Sequence, residues 1–231
     1  EGKLPEITMY GQLLVTSVAN KSGVSSYVVN RQATVLESNI RVGNGIIHII
    51  DEVLLPAAKT IAEQLAAKPE YSIFVQALQE TGFYTRLNTV DANLANRWKT
   101  VIAESNRALA DSGITTYAQL KAKYSQTGNP SLANDSLNMY VAYHVTEGLK
   151  FLGDIIGTAT HETWLPQEVI SVKLIDQEVV INEDEFNGVL EIGVRLDRVK
   201  SDIAATNGVW HDAKAHFMVK YRKPTALYWD V

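Results

Sequence analysis

Two histidines follow the same short motif at widely separated places in the chain. The stretch "VGNGIIHIIDEV" spans residues 42–53 and "ATNGVWHDAKAH" spans residues 205–216; both contain Asn-Gly, two apolar residues and His. A histidine at a fixed point of a strand can act as an acid, a base or a metal ligand. It can also tie the strand to a loop through its two ring nitrogens. We expect the structural role, because buried polar groups are normally hydrogen-bonded.

The second motif also carries Asp212 and His216, which raises the question of a catalytic or metal site. His211 and His216 are an odd number of residues apart, so a strand would point their rings to opposite faces. His211 with Asp212, or His144, would supply the acid-base pair that a hydrolase needs. The chain has no Gly-x-Ser-x-Gly, Walker, Gly-x-Gly-x-x-Gly or His-Glu-x-x-His motif. We therefore predict no catalytic residue, no metal site and no cofactor.

Two further clusters need an interpretation. His144 follows Leu137 and Val141 on one helical stripe, which favours packing in the core or at the helix end. The alternative is a recognition patch, with Tyr143 and His144 as the binding residues. The acidic residues of "INEDEFNG" (181–188) lack the Asp-x-Asp-x-Asp-Gly order of a calcium loop, so we predict an acidic hairpin turn there.

Composition narrows the class of protein. The 231 residues are 46% hydrophobic and 20% charged, which is ordinary for a globular protein. The net charge of -5 argues against a nucleic-acid partner. Cysteine is absent, which excludes disulfides and a Cys nucleophile. No stretch is long and apolar enough for a membrane span. The start, "EGKLPEITMYG", resembles the interior of a longer chain, so we expect any export signal or lipid anchor outside these residues.

The chain is predicted to run from strands to helices and back to strands. Residues 10–18, 27–40 and 46–55 are rich in Val, Ile, Tyr and Thr, as strands are. Helical spacing begins after Pro56, with Gly82 as a helix C′ residue and Thr116 as an N-cap. Later, "EVISVKLID" (168–176) and "VLEIGVRLD" (189–197) alternate with a period of two, which predicts one strand each.

The two Asn-Gly motifs indicate an internal repeat. They are separated by 207 − 44 = 163 residues. We predict that residues 1–57 (the first unit) are the C-terminal, strand-rich part of one domain, and that residues 58–231 (the second unit) are a complete second copy. Fifty-seven residues of strands bury too little surface to fold alone. The first unit must therefore pack on the second unit, on missing chain or on another molecule.

The motifs of the second unit resemble those of a fasciclin-type domain. "TIAEQLAAKPEYSIFVQALQETGFYTRLN" (60–88) is similar to the opening helices of that domain. "WKTVIAESNRAL" (98–109) resembles its first signature, with Asn106 in place, although Glu104 and Ser105 replace the usual Pro and Thr. "YVAYHV" (140–145) is similar to its central Tyr-His element. "ATNGVWH" resembles its second signature, through Asn207, Gly208 and His211.

The first unit matches the second signature more fully, with Asn44, Gly45, His48 and Asp51 all in place. Lys214 stands where Asp51 would fall in the second copy. In the second copy, either Asp212 takes the place of Asp51 as the partner of the histidine, or the contact between histidine and aspartate is lost.

The resemblance implies an α+β fold: a fasciclin-like β-wedge or sandwich with several helices packed along one edge, preceded by a strand-rich partial copy. It implies a tandem, non-enzymatic adhesion or binding module at the cell surface, secreted or held at a bacterial outer membrane as a lipoprotein. The expected partners are a protein or a glycan, a membrane anchor outside this chain, and the missing half of the first domain. Two alternatives stay open. One is a glycan-handling protein that uses Trp164, Trp210, Tyr228 and Trp229; the other is a hydrolase with a His/Asp pair.

Overall fold

Helices cover one face of the larger of two main sheets, and the smaller sheet comes from the start of the chain. The computed structural model describes residues 2–21, 23–186 and 188–219. The strands are β1 Gly2–Ile7, β2 Leu13–Lys21, β3 Val24–Val29, β4 Ala33–Val42, β5 Gly45–Ile50, β6 Lys99–Glu104, β7 Val145–Glu147, β8 Thr160–Glu162, β9 Val169–Ile175, β10 Glu178–Ile181, β11 Asp184–Phe186, β12 Val189–Glu191, β13 Val194–Asp197, β14 Ile203–Ala205 and β15 Gly208–Ala213. The helices are α1 Ile61–Ala66, α2 Ser72–Glu80, α3 Phe83–Leu87, α4 Leu94–Arg97, α5 Asn106–Ala110, α6 Tyr117–Tyr124, α7 Ser136–Tyr143 and α8 Leu152–Ile155, with a 3₁₀ turn at Pro69–Tyr71.

Each unit contributes its own sheet. Among the described residues, the first unit forms a five-stranded antiparallel sheet in the order β1-β2-β3-β4-β5. The second unit forms a sheet in the order β7-β6-β15-β13-β10-β9-β8, with β14 paired to β15. Strand β6 runs parallel to β15, with Gly208 opposite Lys99 and Ala213 opposite Glu104. The predicted α+β class and the order of strands, helices and strands are therefore present.

Local sequence explains where the helices begin and end. Thr60 and Thr116 each form a capping box, in which the threonine oxygen accepts from a backbone N–H and the side chain three residues on accepts from the threonine N–H. Gly82, at φ 80°, ends α2 in the left-handed region, as predicted. None of the helices in the described part of the chain is both long and apolar enough to span a bilayer.

The helices bury an apolar core against the second sheet. Ile61, Leu65, Phe74, Leu78 and Trp210 are each at most 1% exposed within one cluster. A second cluster lies on the other face of the sheet, around Ile102, Ile170 and Leu196. Burial of this many apolar side chains is the main favourable contribution to folding.

Two predicted strand patterns are wrong in detail. "VLEIGVRLD" is split into β12 and β13, with Ile192 76% exposed while Leu196 is buried. Gly193 accounts for the break, because a Cβ there would lie 2.6 Å from Val180 Cγ1 and 2.7 Å from the Ile181 carbonyl oxygen, so the chain crosses close to β10. Asp184 and Glu185 lie in strand β11 rather than in a turn; β11 pairs with β12.

The first unit packs on the second through a small apolar contact and a set of polar ties. Val15 of β2 is buried against Phe151, Leu149 and Val209. Arg31, in the loop between β3 and β4, donates to the carbonyls of Ser201 (2.8 Å) and Arg198 (3.2 Å) and lies 3.4 Å from the Asp202 carboxylate. Of the three packing partners considered from the sequence, the structure shows the second unit.

Replacement of Arg31 should weaken this contact between units. We expect Arg31→Ala to lower the free energy of unfolding by about 1–3 kcal/mol, because hydrogen bonds from a charged donor are lost. Arg41→Ala is the matched control, since Arg41 is exposed on β4 and should change stability by less than about 0.5 kcal/mol. Urea unfolding followed by circular dichroism measures both. Equal stability of the two variants would show that Arg31 does not hold the units together.

Candidate functional site

Both Asn-Gly motifs lie at the tip of a hairpin with the same register. Val42 pairs with Gly45 and Ala205 pairs with Gly208, so the turns consist of residues 43–44 and 206–207. Asn-Gly is typical of hairpin turns because both residues tolerate positive φ, but in these two hairpins neither the asparagine nor the glycine has it. Each glycine instead begins a strand, β5 or β15.

Gly208 is required by the close approach of a neighbouring strand. A Cβ at this position would lie 1.9 Å from the Lys99 carbonyl oxygen and 2.7 Å from Ile61 Cδ1. Real Cβ atoms do not approach backbone so closely, so any side chain would push β6 away from β15. The glycine therefore permits the parallel pairing of these two strands, which is one of the recognised uses of glycine within a sheet.

Asn207 connects the hairpin to two helices. Its side chain is fully buried; Oδ1 accepts from the Ile61 N–H (3.0 Å), and Nδ2 donates to the carbonyls of Leu87 (2.7 Å) and Thr89 (3.1 Å). The asparagine thus satisfies a free N–H at the start of α1 and a free carbonyl at the end of α3. An amide is suited to this position because it both accepts and donates.

His211 ties the same hairpin to two loops. Nδ1 accepts from the Asp202 N–H (3.2 Å), and Nε2 donates to the Lys150 carbonyl (2.9 Å). A backbone N–H can only donate and a carbonyl can only accept, so these partners select the neutral ring with its proton on Nε2. The ring is fully buried. Both of its nitrogens are engaged in architecture.

The first unit repeats part of this arrangement. His48 Nδ1 accepts from the Asn39 N–H (3.4 Å), and Asn39 precedes His48 by nine residues, as Asp202 precedes His211. Asn39 (φ 62°) and Asp202 (φ 57°) both lie in the left-handed region. The hairpins are therefore two copies of one device, which agrees with the predicted repeat. His48, unlike His211, is exposed.

The acidic residue beside each histidine has a different partner in each copy. Asp51 accepts from the Thr34 N–H (2.5 Å), and Asp212 accepts from the Tyr71 hydroxyl (2.7 Å). Burial raises the pKa of Asp212. Lys214 forms an exposed ion pair with Glu178 (2.7 Å). The hairpin register does not shift between the copies, and neither Asp51 nor Asp212 bonds the histidine of its own motif.

A buried carboxylate that sequence reasoning missed lies at the end of β6. Glu104 is fully buried and accepts four hydrogen bonds. The donors are His144 Nε2 (3.0 Å), the Phe217 N–H (2.8 Å), the Tyr140 hydroxyl (2.9 Å) and His216 Nδ1 (2.7 Å). These bonds join β6, α7 and the segment after β15. We call these residues, with Tyr124, whose hydroxyl lies 2.6 Å from His216 Nε2, the Glu104 cluster.

The partners of the Glu104 cluster restrict where its protons lie. His144 Nδ1 faces the Tyr140 carbonyl (2.7 Å), which can only accept, so Nδ1 carries a proton. His144 Nε2 faces the carboxylate, so one further proton lies between this nitrogen and Glu104. Burial alone would raise the pKa of Glu104, but the hydrogen bonds from His144 and His216 lower it to about 2.

Two further residues singled out from the sequence, Tyr143 and His144, are buried, and a third, Asn106, is half-buried. Tyr143 and His144 are only 4% and 0% exposed, so the pair assigned to recognition offers almost no surface to a partner. The Tyr143 hydroxyl donates to the Val169 carbonyl (3.0 Å). Asn106 accepts from the Ile73 N–H (3.1 Å) and donates to the Pro69 carbonyl (3.1 Å), which links α5 to the start of α2.

Comparison with known proteins matches this arrangement to one domain type. The fasciclin domain matches residues 6–56 and 69–212. The chain belongs to the fasciclin domain family. Among solved structures it is similar to the FAS1 domain pair of the insect cell adhesion molecule fasciclin I, at 18% sequence identity and a TM-score of 0.49, with 90% of this chain and 68% of that chain covered. No curated protein matches it.

Two of the four aromatic residues suggested for glycan stacking lie in the described part of this fasciclin chain, and both pack against other side chains. Trp210 is 1% exposed and lies edge-on to Tyr71. Trp164 is half-buried; the Arg86 guanidinium lies 3.8 Å from its ring centre and 4.9 Å from that of Phe83, and the two rings are 5.6 Å apart. Tyr228 and Trp229 lie outside the described residues. A sugar ring therefore has no open face to stack on at Trp210, whereas the Trp164 ring is half-buried and carries the Arg86 guanidinium.

The side chains suggested for hydrolysis or metal binding are also separated by the fasciclin fold. His211 bonds backbone, Asp212 bonds Tyr71, and His216 belongs to the Glu104 cluster. No group of three His, Cys, Asp or Glu side chains that could hold a metal ion occurs within residues 2–21, 23–186 and 188–219. The polar side chains of the motif at residues 205–216 therefore form hydrogen bonds that hold the fold together.

The Glu104 cluster predicts acid sensitivity. The pKa of Glu104 is lower in the folded chain than its ordinary value of 4.5, so the unfolded chain takes up the proton first as the pH falls. Stability from this group is complete above about pH 4.5 and is lost between about pH 4.5 and 2, by on the order of 3 kcal/mol. Urea unfolding at several pH values measures this loss. Glu104→Gln should be less stable at neutral pH but lose less across that window; an unchanged slope would contradict the assignment.

Proposed function

We propose that this chain is a non-enzymatic adhesion or binding module that works outside the cytoplasm, at the cell surface. The observation that carries the proposal is the fasciclin match across both units, residues 6–56 and 69–212. Fasciclin domains are typically adhesion or binding modules. The similar solved domain pair comes from a cell adhesion molecule.

The proposal extends to organisation and location. Residues 1–57 are the C-terminal part of a first fasciclin domain and residues 58–231 are a complete second one. We propose a secreted or surface-anchored bacterial protein, held at the outer membrane as a lipoprotein by a segment outside this sequence. Its partners are surface proteins and the missing half of the first domain. The signature residues Asn44, Gly45, His48, Asp51, Asn106, Asn207, Gly208 and His211 serve architecture in this account.

An adhesion assay with purified protein tests the role. Beads coated with the chain should bind cells at least several-fold above beads coated with the Glu104→Ala variant, whose fold we expect to be weakened. Prior protease treatment of the cells should abolish binding if the partner is a protein, whereas glycosidase treatment should abolish it if the partner is a glycan. Binding no higher than that of the variant would overturn the adhesive role.

Location is tested separately in the native host. Surface proteolysis of intact cells, with a cytoplasmic protein as the control, should degrade the chain while the control survives. Protection of the chain until the cells are lysed would contradict a surface location.

A further inference from the structure

Strand β5 ends the first sheet at a place where the second sheet continues. The hairpins that contain β5 and β15 have equivalent pairs at an offset of 163 residues: Ile40–Ile47 corresponds to Ile203–Trp210. In the second unit, β15 has a parallel neighbour, β6, on its far side. Among the described residues, β5 has β4 on one side and is the edge strand of its sheet. Strand β5, the equivalent of the interior strand β15, therefore lies at an exposed sheet edge.

Gly45 has no steric reason to be glycine in the chain as it stands. A Cβ at Gly45 would meet nothing within 4 Å, and the residue does not have positive φ. At the equivalent Gly208, a Cβ would clash with the Lys99 carbonyl of β6 at 1.9 Å. The first unit thus has the residue that a close parallel strand needs, with open space where that strand would lie.

Asn44 and His48 show the same pattern in their hydrogen bonds. The equivalent Asn207 bonds the start of α1 and the end of α3, and the equivalent His211 donates Nε2–H to the Lys150 carbonyl. Within the described residues, the Asn44 side chain has no hydrogen-bond partner, and His48 uses Nδ1 alone. Both side chains are exposed. The Asn44 amide has the donor and acceptor that Asn207 uses for the N-terminal helices, and the His48 ring has the Nε2 that His211 uses for the loop at Lys150.

The apolar surface of β5 completes the pattern. Ile46, Ile47 and Ile49 are 56%, 49% and 44% exposed, whereas their equivalents Val209, Trp210 and Asp212 are at most 4% exposed. A groove of about 580 Å³ adjoins the strand and is lined by Leu14, Tyr27, His48 and Ile50, among others. Successive side chains of a strand point to opposite faces, so Ile46 lies on the face of His48 and Ile47 and Ile49 lie on the other. Apolar side chains are thus exposed on both faces of an unprotected edge strand, and such an edge invites pairing.

We propose that β5 is the docking edge for an N-terminal half of a fasciclin domain, with the chemistry of residues 58–104 of this chain. The occupant brings a helix start whose free N–H binds Asn44 and a parallel strand of β-branched residues whose carbonyl passes over Gly45. This mode of recognition adds a strand to an open sheet edge. A second copy of β5 does not fit the pattern, because its twofold pairing would be antiparallel and would bring no helix start to Asn44.

Register-specific disulfide trapping tests the proposal, and the absence of native cysteine makes the readout clean. The probe is a synthetic peptide of residues 97–105, "RWKTVIAES". Val209 pairs with Thr100 in the second unit, so the equivalent of Thr100 should lie beside Ile46. An Ile46→Cys chain should crosslink to a Thr100→Cys peptide at least tenfold faster than to an Ala103→Cys peptide, because a disulfide requires adjacent Cα atoms.

The variant Gly45→Val separates docking from folding. It should leave the stability of the chain within about 0.5 kcal/mol, since the site is open, but it should remove the tenfold preference by blocking the carbonyl. Equal rates with both peptides would overturn the proposal. So would an Ile46→Cys homodimer that forms faster than the peptide adduct, because it would assign the edge to a second copy. This inference develops the last partner proposed above, and because its test uses purified chain and peptide, it can fail while the adhesive role stands.

Discussion

Gly208→Ala should lower the free energy of unfolding by about 3 kcal/mol, and Gly45→Ala should change it by less than about 0.5 kcal/mol. The two glycines occupy the same place in two copies of one hairpin. The difference lies in what surrounds them: backbone at 1.9 Å from the Gly208 Cβ position, and open space around that of Gly45. A methyl group at Gly208 must displace β6, and with it the parallel pairing of β6 with β15.

Urea unfolding of both variants against the parent chain measures this difference. Each variant is the control for the other, because both replace glycine by alanine at the first residue of an apolar strand. An equal loss at both positions would show that the glycines act through turn conformation and not through the neighbouring strand.

Glu104→Ala should lower the free energy of unfolding by about 3–5 kcal/mol, because removal of one partner from a buried charged cluster leaves the others unsatisfied. The substitution deprives His144, His216 and Tyr140 of their common acceptor. It also releases the Phe217 N–H, so the segment after β15 loses its tie to β6. We expect that segment to become more accessible to protease.

Glu162→Ala is the control for this second prediction, since Glu162 is an exposed acid on β8 and should change stability by less than about 0.5 kcal/mol. Thermal and urea unfolding compare the three chains. A Glu104→Ala chain as stable as the Glu162→Ala chain would mean that the cluster contributes nothing to the fold.

Periodicity and capping patterns predicted the elements that depend on local sequence. Thr116, predicted as an N-cap, forms a capping box with Gln119, and Gly82, predicted as a C′ residue, ends α2 in the left-handed region. Those patterns failed where contact with a strand distant in sequence determines where an element begins or ends. The alternation from Leu190 to Leu196 predicts one strand, but the close crossing of Gly193 over β10 divides it.

The candidate site was harder to predict, because the signature residues of the second unit act largely through partners far along the chain. Asn207 bonds Ile61, Leu87 and Thr89, more than 100 residues away in sequence. A single sequence shows Asn-Gly as a turn and gives no indication of those bonds. Glu104 was missed for the same reason: a glutamate that ends an apolar strand is typical of solvent exposure, and nothing local indicates that His144 and His216 meet it.

The repeat explains why one motif has two environments. The chain contains the hairpin twice; in the second unit an N-terminal half covers it, and in the first unit its equivalent side chains are exposed. The histidines in both copies accept from a left-handed residue nine positions earlier, so the hairpin holds its shape with or without that cover. The motif therefore holds the fold together in the second unit, whereas in the first unit it lies on an exposed edge strand.

Native-state hydrogen exchange of the backbone amides tests this account most directly. Strand β15 is paired with β6 on one side and with β14 and β13 on the other, whereas β5 is paired with β4 alone among the described strands. We expect the β15 amides to exchange only through global unfolding, and at least half of the β5 amides to exchange a hundredfold faster or more through local opening. Equal protection of the two equivalent strands would contradict the claim that the first unit displays an open copy of a site that the second unit keeps filled.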